Sequence, residues 1–91
     1  MEAIRAQLLE NQLNALDRLF DFKIKVIDLH ALTHATAQAL VGDPMYSCFD
    51  DAARALAAII GQGLSDDDER ERALVETDAL RRKLADELPF P

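Results

Sequence analysis

The chain has 91 residues, a net charge of −7, a pI near 4.6 and a single cysteine, Cys48. One domain of this length has room for one modest core, and one cysteine excludes an intrachain disulfide framework. The acidic balance argues against direct nucleic-acid binding and against an anionic membrane surface, because both depend on Lys and Arg facing phosphates.

The apolar half of the composition leans on Ala and Leu and not on β-branched residues, which favours helix. Glu2 to Asp21 reads as the first helix: Leu9, Leu13, Leu16 and Phe20 fall at helical spacing, and Ile4, Leu8 and Leu19 widen the stripe to about half the circumference. The next stretch, Asp21 to Ile27, alternates. Phe22, Ile24 and Val26 are expected on a buried side of an extended connector, against Lys23 and Lys25 outside, with a continued first helix as the alternative.

The second helix spans Asp28 to Val41. Asp28 is the expected N-cap, with Ile27 and Leu32 as a hydrophobic staple. Gly42 and Pro44 mark its end. After Asp28 this helix carries no charge in a chain that is 30% charged, so protein is expected on most of its sides. Leu29, Leu32, Thr36, Ala39 and Leu40 point one way. His30, His34, Ala37, Gln38 and Val41 form a second, uncharged face, which either packs internally or meets another chain.

The third helix covers 44–60 and begins either at Asp43-Pro44 or at Ser47 with Asp50 in a capping-box variant. Met45, Phe49, Ala52, Ala53, Leu56 and Ile60 form its core stripe, and Asp50 with Arg54 is an expected surface pair. The fourth runs from Ser65, its cap, through Asp66, Asp67 and Asp68 to Leu88. Its stripe is Ala73, Thr77, Leu80, Leu84 and Leu88. Val75 projects away from that stripe, so a break near 76–77 is expected, with Thr77 opening a separate last helix. Pro89-Phe90-Pro91 reads as a tail. The fold class is therefore all-α, a small antiparallel bundle of about four helices in a single domain.

His30 and His34 stand at i, i+4 and could share a metal ion, but the glutamate of an H-E-x-x-H motif is missing and Cys48, Asp43 or Asp50 would have to supply a third ligand. No metal or cofactor is expected. The run Asp66-Asp67-Asp68-Glu69 lacks the alternation, central Gly and distal Glu of a calcium loop and reads as dipole-compensating charge. No phosphate-binding, dinucleotide or nucleophile-elbow motif occurs, and a non-enzyme is expected. The beginning, MEAIRAQLLENQLNAL, has neither the apolar run nor the basic flank of a signal peptide, and no stretch is apolar enough to span a membrane. A cytoplasmic protein is expected.

The charge layout is the most informative feature. Between Val26 and Glu69 there are eight acids and one base, Arg54, giving 1 − 8 = −7; the remainder holds nine of each and is neutral. Such a field speeds encounter with a basic protein. The expected partner-binding residues are Asp50, Asp51, Asp66, Asp67, Asp68 and Glu69, with Tyr46 as an aromatic anchor. His30, His34 and Val41 are a second candidate interface, for a homodimer. In length, acidity and helix content the chain resembles the bacterial immunity proteins, which block nuclease toxins by covering a basic surface. That resemblance implies an inhibitor or antitoxin-like role and a nuclease or other nucleic-acid-binding protein as partner. A homo-oligomeric adaptor and a phage-type inhibitor that mimics nucleic acid are the alternatives.

Overall fold

The computed structural model describes residues 2–88, and these are all-helical: α1 Glu2–Phe20, α2 Val26–Ala39, α3 Tyr46–Ile60, α4 Asp66–Glu76 and α5 Asp78–Glu87. No helix among them is long and apolar enough to cross a membrane. The Pro89-Phe90-Pro91 tail lies outside the described residues. Buried side chains from all five helices join one cluster, centred on Leu16, Leu29, Phe49, Leu56 and Leu84. The hairpin of α2 and α3 is the most extensive pairing, and α1 packs across α2, α4 and α5.

Several boundaries follow the local chemistry. Ser65 caps α4 by accepting the Asp68 N–H at 3.2 Å. The break falls at Thr77, whose hydroxyl donates back to the Ala73 carbonyl at 2.7 Å and so satisfies its own buried polar atom. Ala73, Thr77, Leu80, Leu84 and Leu88 are all buried across the break. α2 ends earlier than expected, at Ala39 with Leu40 as its C-cap and not at Val41; Gly42, at φ +89, lies beyond it as the third residue of a turn closed by the Asp43 N–H on the Leu40 carbonyl, a position where positive φ suits glycine.

Other boundaries move. α2 starts at Val26, not Asp28. Lys25 is the N-cap, and the Asp28 carboxylate reaches back to accept the Lys25 N–H at 3.1 Å. Asp28 still caps the helix, but from inside its first turn. Ile27 is consequently exposed and forms no staple. α3 starts after the Asp43-Pro44 turn, where the Asp43 carboxylate accepts the Met45 N–H at 2.8 Å, and Ser47 is exposed. The inner position near the end of α3 is Ile59 and not Ile60.

The expected faces are corrected in two places. On α1, Phe20 and Ile4 are exposed, and Gln12 and Ala15 fill the core in their stead. On α2, lack of charge does not mean burial. Thr33, Thr36 and Ala37 face inwards with Leu29 and Leu40, while Ala31, Ala35, Gln38 and Ala39 face outwards. Alanine and glutamine tolerate either environment, so an uncharged helix can still present one side to water.

Candidate partner-binding surface

The end of α1 and the start of α4 build the most unusual surface. α1 closes in a Schellman motif: the Lys23 N–H bonds the Arg18 carbonyl at 2.8 Å and the Phe22 N–H bonds the Leu19 carbonyl at 3.2 Å. Phe22 occupies the left-handed position of that motif, at φ +65. Glycine is the residue that ordinarily fits there; a side chain costs about 1–2 kcal/mol. Burial does not repay this, because Phe22 is 70% exposed and not on the inner side of the connector where alternation placed it. Of that alternating set only Val26 is fully buried, and Ile24 is half-buried.

The Phe22 ring instead meets a cation. The guanidinium carbon of Arg70 lies 3.5 Å from its centroid, a contact worth roughly 0.5–1 kcal/mol at an exposed site. Phe22 and Arg70 border a shallow cavity of about 190 Å³ floored by Leu19, Ile24 and Val26. Asp66, Asp67 and Glu69 line it as well, against Lys25 and Arg70, so its acidic excess comes from the first turn of α4. Asp67 reaches Arg70 only at 3.8 Å. Among the described residues Asp66 and Asp68 take part in no ion pair. Phe20, 63% exposed, lines a separate groove with Leu74, Asp78 and Arg81, and Ile27 is exposed in the first turn of α2. Exposed aromatic and apolar side chains rimmed by charge are the composition of an interface centre.

The remaining expected residues lie elsewhere. Asp50 is half-buried and holds Arg54 at 2.9 Å, and Asp51 is exposed beside it. They sit in the second turn of α3, whereas Asp66–Glu69 follow its far end; the remaining length of the helix, roughly 15 Å at 1.5 Å per residue, separates the two groups. Tyr46 is half-buried and packs on the core. The six acids and Tyr46 therefore do not form one patch.

Asp43 is structural. Its carboxylate holds Arg5 at 2.6 and 3.2 Å, and Arg5 also donates to Glu87 at 2.8 Å, tying the start of α1 to the α2–α3 turn and to the end of α5. Arg5 first, and then the Met45 N–H, hold the Asp43 carboxyl below its ordinary range, while Asp43 and Glu87 drive the Arg5 guanidinium further up. His30, His34 and Val41 do not line one groove. Val41 lines a groove with Ile4, Leu8 and Ala39 at the opposite end of α2, whereas both histidines border α3. Cys48 is half-buried between α3 and α5, and burial pushes its thiol up, the reverse of what a reactive thiolate needs.

Comparison with protein-family models, curated proteins and solved structures gives no match to this chain.

Phe22 and Arg70 escape sequence reading for a physical reason. Periodicity reports which side chains could share a face, but the face of Phe22 is set by a left-handed backbone that no glycine or asparagine announces.

Proposed function

We propose that this protein is a small non-catalytic interaction module that binds a basic protein surface, in the manner of an inhibitor, immunity protein or antitoxin. Phe22 is its apolar anchor, and Asp66, Asp67, Asp68 and Glu69 are its charged rim. The observation that carries this reading is Phe22 itself. A bulky residue in left-handed backbone, exposed, with a return from packing smaller than its strain, is kept for something outside the fold. The net charge of −7 supports a basic partner. A nuclease or another nucleic-acid-binding protein has the required surface.

The test captures partners from the native host with the wild-type chain, then titrates the purified partner with variants. Phe22→Ala is expected to weaken binding by about 2 kcal/mol or more, roughly thirtyfold. Reversing Asp66, Asp67 and Asp68 to Lys is expected to slow association and flatten its dependence on salt. Phe22→Gly is the control for folding. Strain relief of about 1–2 kcal/mol offsets roughly 0.5–1 for glycine flexibility and roughly 0.5–1 for the lost Arg70 contact. The variant should therefore keep wild-type stability while losing affinity. A basic partner bound equally well by all three variants refutes the proposal.

A homo-oligomeric role has one specific observation in its favour, the uncharged outward side of α2 beyond its first turn.

A further inference from the structure

Among the described residues, His30 and His34 are a chemically distinctive pair that the proposed partner surface leaves unused. They lie one helical turn apart, with rings stacked at 6.2 Å between centroids and 19° between planes. His30 is half-buried and His34 exposed, at the mouth of a groove of about 250 Å³ shared with Asp50, Ala53, Arg54 and Ala57 of α3. Two imidazole nitrogens bonded to one tetrahedral ion at about 2.0–2.1 Å bring their ring centroids to roughly 5 Å. The stacked rings do not yet point their nitrogens at one ion, and chelation requires both side chains to rotate, His34 from an exposed and His30 from a half-buried position. Neutral imidazole suits zinc, copper and nickel, and a net charge of −7 enriches cations around the chain.

Two donors leave a zinc ion two short of its preferred four. Among the described residues no third His, Cys, Asp or Glu groups with them for a metal. Asp50, across the groove, is turned to Arg54 at 2.9 Å. Cys48 and Asp43, the other sequence candidates, lie against α5 and Arg5.

The surroundings indicate the source of the missing ligands. The outward side of α2 beyond its first turn exposes Ala31, His34, Ala35, Gln38 and Ala39, none of them charged. The nearest charges on α3, Asp50 and Arg54, neutralise each other. On an acidic chain this stretch, bordered by the exposed Asp28 of the first turn, brings few like charges together when two copies meet, and Ala31 and Ala35 allow the helices to approach closely. We propose that His30 and His34 are half of a divalent transition-metal site, completed by the same two histidines of a second copy across a two-fold axis. The four ligands are then two equivalent i, i+4 pairs, one from each α2, in an isologous contact.

The experiment is sedimentation velocity of the full chain, with zinc added stepwise and then removed with EDTA, alongside a zinc titration by calorimetry. Expected are a doubling of the 10.1 kDa mass, one ion bound per two chains, and reversal by EDTA. His34→Ala, at an exposed position, is expected to abolish both dimer and binding, with circular dichroism unchanged; His30→Ala should do the same. Tetrahedral cobalt absorption should appear in the wild type alone. A monomeric mass throughout, one ion per chain without dimer, or a zinc dimer that survives either substitution overturns the proposal.

Discussion

Gln12→Met is expected to stabilise the fold by about 1 kcal/mol. Gln12 is 0% exposed on the inner side of α1. Its Nε2 donates to Thr33 Oγ1 at 2.8 Å. The Thr33 hydroxyl spends its one proton on the Leu29 carbonyl at 2.7 Å, so it can only accept from Gln12, which fixes the orientation of the amide. Gln12 Oε1 is left buried with no donor. Such an orphaned acceptor costs about 1–3 kcal/mol, while the one hydrogen bond made by the other end returns about 0.5–1.5. Methionine has nearly the same length and flexibility, fills the same space and removes both terms. For a domain of this size, 1 kcal/mol corresponds to roughly 4–8 °C in Tm. Thermal and urea unfolding followed by circular dichroism measure it. Thr33→Val in the wild-type background strands the buried amide and should cost about 1–3 kcal/mol; in the Gln12→Met background it should cost distinctly less, giving a coupling between the two sites. A Gln12→Met protein at least 1 kcal/mol less stable than wild type, or a Thr33→Val cost unchanged between backgrounds, would refute the reasoning.

Two further outcomes follow from the titrating groups. The Asp43 carboxyl, held low by Arg5 and then by the Met45 N–H, contributes stability that is present above the ordinary carboxylate value near 4 and lost as pH falls through its lower folded value. Asp43→Ala should therefore cost about 1–2 kcal/mol at pH 7, a figure that allows for partial solvent screening, and the difference from wild type should shrink in unfolding curves taken below pH 4. Burial raises the Cys48 thiol, so iodoacetamide at pH 8 should alkylate it more slowly than a free cysteine, with the rate recovering in urea.

What the sequence made legible was whatever depends on neighbours along the chain. Ser65 before three aspartates declares its own cap, and Val75 opposite Leu84 on the wheel declares the break at Thr77. The stripe from Ala73 to Leu88 needs only spacing. What it hid depends on distant partners or on backbone conformation. Asp43 looks like one acid in an acidic field until Arg5, 38 residues away, takes it up. Gln12 sits among leucines and is polar, so a pattern of hydrophobicity assigns it outwards, and only Thr33 on the next helix explains why it is inside. The acids of α3 and α4 are close in sequence and share a sign, yet a rigid helix holds them apart. Charge totals are readable from a sequence, but charge neighbours are not.

The way α5 is fastened has a consequence for local opening. It contributes Leu80 and Leu84 to the core, joined by its C-cap Leu88, and ion pairs to α1 flank them, Arg81 to Asp17 at 2.7 Å and Glu87 to Arg5 at 2.8 Å. Each of these side chains is at least a quarter exposed, so dissolved ions reach them and screen them. Ionic strength therefore acts on this seam more than on the α2–α3 hairpin. Rising salt lowers the free energy for α5 to lift away, and its amides exchange with solvent earlier than those of the hairpin.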